Sequence, residues 1–156
     1  MKIQSAFWKV CLVSLVMVGS VLAENPQHLK IVIGENKLQL DSESAPVEII
    51  INTEVHSTKI SNLYQTRSLV SRLGISIAGK DLFIPPSASF DLYDLNTASL
   101  CKKKGGYTLE LKGGDAAEGY NSTIVFNQQR VLQRIDKGET GNISQRIQYP
   151  YQPPSK

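Results

Sequence analysis

The chain has 156 residues, 41% of them hydrophobic, with 17 Lys and Arg against 14 Asp and Glu and two cysteines. That length suits one domain able to bury about two-thirds of its unfolded surface, so folding needs neither a metal nor a disulfide framework. The net charge is +3, and without the two lysines of residues 1–23 it falls to about +1, which removes the electrostatic argument for nucleic-acid binding.

Residues 1–23 read as a secretory leader. Lys2 and Lys9 form a basic start, residues 10–18 (VCLVSLVMV) an apolar run broken by Ser14, and Gly19, Ser20 and Ala23 a small-residue cleavage region. The run is shorter than the ~20 residues of a bilayer span, so no transmembrane anchor is expected. The expectation is export, to a periplasm or the extracellular space, of a mature chain beginning near Glu24. Cleavage would leave 133 of the 156 residues, with 15 basic residues against 14 acidic ones. It would also remove Cys11, leaving Cys101 alone and no internal disulfide.

The mature chain reads mostly as short strands. Residues 29–33 and 37–40 flank Gly34-Glu35-Asn36, which suggests a hairpin. Residues 47–55 (VEIIINTEV) alternate, with Val47, Ile49, Ile51, Thr53 and Val55 on one face and Glu48, Asn52 and Glu54 on the other. Over residues 61–73, Leu63, Tyr64, Val70 and Leu73 partly fit a helical stripe, with Ser61 as N-cap and Gly74 as stop, while the β-branched and Ser/Thr content argues equally for an extended strand; a short helix is the favoured expectation. Residues 75–78 and 81–84 suggest a second hairpin around Gly79-Lys80, ended by Pro85-Pro86. Residues 87–96 read as a loop with one helical turn, docked by Phe90, Leu92 and Leu95.

The last third reads as a β-meander of residues 97–102, 107–112, 120–126, 131–136 and 143–149. Residues 150–156 form a Pro-rich tail expected to fray. With Phe126 opposite Val131 and Val131 opposite Tyr149, Tyr107, Leu109, Leu111, Tyr120, Ile124, Phe126, Val131, Ile135, Ile143, Ile147 and Tyr149 share one apolar face. That face needs a cover, which the first half of the chain can supply. The same register makes Arg134 and Arg146 cross-strand neighbours on the polar face. Like charges so placed destabilise unless compensated. Asp136 and Glu110 can neutralise them, or the pair binds a carboxylate or phosphate on an acidic partner.

Catalytic chemistry is sparse. His28 lies near the mature terminus, and His56 beside Ser57 has no G-x-S-x-G elbow to complete a triad. One Cys and two separated His make no zinc site. Asp91, Asp94 and Asn96 lack the Gly and terminal Glu of an EF-hand. Gly113-Gly114-Asp115 matches no phosphate-binding loop and reads as a backbone turn. Lys102, Lys103 and Lys104 follow Cys101, which reads as a half-buried strand residue or, alternatively, as a reactive thiol. Asn121-Ser122-Thr123 and Asn142-Ile143-Ser144 match the glycosylation sequon.

These readings converge on a single all-β, mainly antiparallel domain over residues 24–149, a small sandwich or meander. The expected function is a non-catalytic protein that binds another protein as inhibitor, accessory factor or effector. No cofactor, metal or nucleic acid is implied. The alternatives are a small hydrolase using His56 or Cys101, and a structural subunit that donates strands to an assembly.

Overall fold

The computed structural model describes residues 26–41, 45–61, 63–115, 118–138 and 140–150. Residues 1–23, expected to be a leader, and residues 151–156 of the expected tail lie outside the described residues. Ten strands form two sheets: β1 (Gln27–Lys30), β2 (Gly34–Leu40), β3 (Val47–Ile60), β4 (Leu63–Ile77), β5 (Lys80–Asp81), β6 (Leu95–Lys103), β7 (Gly106–Gly113), β8 (Tyr120–Phe126), β9 (Val131–Gly138) and β10 (Ile143–Gln148). One sheet has the order β1-β6-β7-β8-β9-β10 and the other β2-β3-β4-β5, with every pairing antiparallel. The expected meander is therefore present as five consecutive neighbours, and the first half of the chain supplies the covering sheet.

The two sheets share one apolar core. Val47, Ile49 and Ile51 from β3 are fully buried, as are Leu100, Leu109, Leu111, Ile124 and Phe126 from the larger sheet. Each such side chain contributes roughly 1.5–3 kcal/mol by leaving water. Tyr107 and Phe126, opposite each other in the ladder, stack with centroids 5.4 Å apart.

Three local expectations are corrected. Residues 63–73 are not helical: they belong to β4, which pairs with β3 from Val47↔Ile77 to Ile60↔Leu63. Leu73, Ile75 and Ile77 enter the core with a period of two, and the β-branched and hydroxyl residues before them suit a strand. The hairpin around residues 34–36 does not form. β1 pairs with β6 and β2 with β3, so the chain changes sheets between them. Finally, Phe126 does face Val131, but a bulge at Leu132 shifts the rest of β9 by one residue. Ile124 then faces Arg134 and Ser122 faces Asp136. A one-residue slip exchanges the two faces of a strand, so Arg134 and Asp136 turn inward while Gln133 and Ile135 turn outward and are half-buried. Ile143, expected in the core, is 52% exposed.

The expected hairpin near Gly79 is found as β4 and β5, with Ser76 facing Asp81. Pro86–Ala88 forms a 3₁₀ turn. Leu92 and Leu95 dock its loop into the core, whereas Phe90 is 68% exposed.

Candidate functional site

Two polar constructions stand out, one closed and one open. The closed one surrounds Arg134, whose inward turn would strand a cation were it not surrounded by acceptors. Its Nε donates to Ser122 Oγ at 3.0 Å and to Asp136 Oδ1 at 2.9 Å. Its Nη1 donates to the Ser87 carbonyl at 3.2 Å and pairs with Asp91. Burial opposes the guanidinium charge, but the hydrogen bonds to Asp91 and Asp136 outweigh it, and the pKa of Arg134 lies above its ordinary value. The network fastens residues 87–91 to β8 and β9. Arg146, by contrast, is exposed and faces Ile135. The two arginines expected as one patch are not cross-strand neighbours.

A second clamp sits where β7 and β8 meet. The Tyr120 hydroxyl donates to the Tyr93 carbonyl at 2.6 Å and accepts from the Tyr93 N–H at 2.9 Å. Burial pushes its pKa upward, beyond the usual tyrosine range. Gly113 makes the room: a Cβ there would sit 2.6 Å from both that hydroxyl and the Tyr93 carbonyl. The glycine read as a turn residue is thus a packing requirement.

The open construction is the far half of the β3–β4 hairpin. Beyond Thr53, residues 54–59 are all exposed, as are Tyr64, Gln65 and Thr66 on the returning strand. At ~3.3 Å per residue, residues 54–60 carry this arm roughly 20 Å past the last core position. Its two strands hold each other through the ladder, a 3.1 Å contact between Ser57 Oγ and Thr66 Oγ1, and Lys59 Nζ 5.9 Å from the Tyr64 ring centroid. Val55 and Tyr64 are 49% and 72% exposed.

The base of the arm is firmly set. Arg67 reaches Glu118 at 2.8 Å and lies 4.7 Å from the Tyr93 ring centroid. Asp94 Oδ1 accepts from the Ser68 N–H at 2.7 Å, and the Asp94 N–H donates to the Ser68 carbonyl at 2.7 Å. On the opposite side, Asn36 and Thr53 are buried beneath the turn at residues 32–34. Sequence reasoning missed the arm because residues 54–59 and 64–66 are exposed, which removes the apolar alternation that marks a strand. Its one available signal was the density of Ser, Thr and Tyr over residues 57–68.

The other sequence candidates are scattered. His56 is exposed on the arm opposite Arg67, and His28 is exposed on β1. Cys101 is half-buried on β6, opposite Thr108, with Sγ 3.4 Å from the Lys102 carbonyl. Asp91, Asp94 and Asn96 serve separate bonds, to Arg134, Ser68 and the Gly114 carbonyl. Among the described residues, no group of three His, Cys, Asp or Glu could hold a metal ion, and no helix is long and apolar enough to cross a membrane. Asn121 is half-buried within β8, while Asn142 is exposed between β9 and β10. The outer face of the smaller sheet carries an open groove of about 300 Å³ beside Ile50, Arg72, Gly74 and Phe83. Compared with known proteins, the chain matches no family model, no curated protein and no solved structure.

Proposed function

We propose that this chain is an exported, non-catalytic binding protein that acts on another protein, as inhibitor, accessory factor or effector, with the arm as its contact. The arm carries the reading. A two-stranded ribbon is marginal on its own in water, yet this one projects from a well-packed body and its base is held by Arg67, Ser68, Tyr93 and Asp94. Among the described residues, residues 54–59 and 64–66 are all exposed and none belongs to the core. The alternative of a small hydrolase would use His56, exposed opposite Arg67, or Cys101, half-buried opposite Thr108.

The test shortens the arm while keeping its base. Residues 57–66 are replaced by Asn-Gly, a two-residue hairpin turn, closing the hairpin at the His56–Arg67 pair. Tagged full-length and shortened chains are crosslinked in the exported fraction of the native cells, and captured proteins are identified by mass spectrometry. A partner held by the full chain and by a Cys101→Ala variant, but lost from the shortened one, supports the proposal. Equal capture by the shortened chain overturns it.

A further inference from the structure

β2 and β3 differ greatly in reach. β2 ends at Gly34, opposite Thr53, while β3 continues through residues 54–60. Among the described residues no strand pairs with that side of β3 beyond Thr53. β2 stops because two buried side chains divert the chain. Asn36 Oδ1 accepts from the Val32 N–H at 2.8 Å, and its Nδ2 donates to the carbonyls of Val32, Gly34 and Ile51 at 2.7, 3.1 and 3.2 Å. Thr53 Oγ1 donates to the Val32 carbonyl at 3.1 Å and accepts from the Gly34 N–H at 3.2 Å. The Ile31 N–H then joins the other sheet at the Asn96 carbonyl, 2.9 Å away. So fixed, the turn leaves Val32 58% and Ile33 66% exposed. Two apolar side chains are held rigidly where the open ladder position begins.

Several of the other sheet edges are blunted. Beside the arm's base, the outer side of β4 is covered by the Leu69↔Tyr93 bridge and the Arg67–Glu118 pair. β5 is two residues long. β10 is short, carries Arg146 and contains a register shift between Ile143 and Gln145. Short edges, charge and bulges are the usual protections against strand addition. Residues 54–60 contain no proline and no register shift, and their one lysine, Lys59, lies at the far end.

We infer that the outer edge of β3 at residues 54–60 accepts an extended segment of another polypeptide as an added strand, in line with β2. This rests on the proposed protein-binding role and specifies its mode. Alternate residues of an outer strand present unpaired N–H and C=O groups outward, and a second extended backbone matches that spacing. The added segment begins against Ile33. The exposed Val32, Ile33 and Val55 then favour apolar side chains where the added segment faces them, and side chains of an added strand alternate between its two faces. Backbone pairing supplies affinity, and the fixed turn limits the ordering lost on binding.

The probe is a phage-displayed heptapeptide library selected on the full-length protein. Selected peptides should alternate apolar and polar residues. The best one is then synthesised unmodified and with backbone N-methyl groups at alternate positions, in each of the two phases. One phase should lose about tenfold or more in affinity, about 1.4 kcal/mol of lost pairing, and the other should retain binding. A Val32→Ser/Ile33→Ser variant should weaken binding several-fold, whereas Phe83→Ser, on the outer groove, should not. Equal behaviour of the two phases, loss confined to Phe83→Ser, or failure of the library to yield a binder overturns strand addition. Sedimentation of the protein alone supplies a control. A dimer abolished by Val32→Ser/Ile33→Ser would place a second copy on this edge and overturn the foreign segment. If the crosslinked partner depends on the arm but the phases do not differ, the mode fails and the protein-binding role stands. If that partner ignores the arm, both fail.

Discussion

The two halves of β3 belong to the same strand and obey opposite rules. Val47, Ile49 and Ile51 are fully buried, and each has a neighbour on both β2 and β4. From residue 54 the strand keeps its β4 neighbour and loses its β2 neighbour, and residues 54–59 are all exposed. The inner half is strongly stabilised by apolar burial, whereas the outer half has only its ladder and a few surface contacts. Stability and contact surface are thus separated along one chain, with Asn36, Thr53, Arg67 and Asp94 at the boundary. Substitutions inside that boundary should unfold the protein, and substitutions outside it should not.

The largest effect is expected at Arg134. Arg134→Met leaves Asp136, whose side chain is 12% exposed, as an uncompensated buried charge. Breaking a buried pair in this way costs about 3–5 kcal/mol. Arg146→Met, on the exposed strand β10, should change stability by less than about 0.5 kcal/mol. Urea unfolding of the two variants checks the contrast, and equal midpoints would mean that the Arg134 network does not support the fold.

That contrast also explains why the arginines misled the sequence reading. The residues of β9 (VLQRIDKG) contain apolar side chains at both parities, so alternation alone permits two registers. Choosing the more apolar face buried Ile135 and exposed Arg134, because a buried arginine breaks the ordinary preference. The unfavourable Arg134–Arg146 pairing was itself the hint that the register was wrong. A single extra residue at Leu132 removes that repulsion and brings Arg134 beside Asp136 and Ser122. Residues 47–55 and the meander were legible because one face of each is buried and alternation records it. The Asp91–Arg134 and Tyr93–Tyr120 contacts were not, since they join residues 43 and 27 positions apart and local sequence carries no trace of them. The fate of residues 61–73 was decided by pairing with β3, which overrides a weak helical stripe.

A smaller effect is expected at Tyr120. Tyr120→Phe removes both hydrogen bonds to the Tyr93 backbone and should destabilise by about 1–3 kcal/mol. The loss should also depend on pH. Above about pH 10 the tyrosine of the unfolded chain releases its proton, while burial keeps Tyr120 protonated in the folded chain. The unfolded state then binds fewer protons, so stability falls as pH rises. Melting temperatures measured from pH 8 to 11.5 should decline beyond pH 10 in the parent and decline less steeply in Tyr120→Phe. Parallel curves would show that Tyr120 ionises as freely in the folded chain as in the unfolded one.

The smallest effect is expected outside the boundary, and its smallness is the informative result. Val32→Ser/Ile33→Ser removes two apolar side chains from a turn that Asn36 and Thr53 hold through its backbone groups. Neither substituted side chain supports that turn, so the unfolding midpoint should move by no more than about 0.5 kcal/mol. Asn36→Ala deletes the hydrogen bonds that the buried amide makes to Val32, Gly34 and Ile51 beneath the same turn, which should cost about 1–3 kcal/mol. Both variants should weaken peptide capture along β3, the first by removing the apolar contacts and the second by loosening their support. Only the second should unfold at lower urea. If the double serine variant were as unstable as Asn36→Ala, Val32 and Ile33 would be structural, and their exposure would no longer mark a surface held ready for contact.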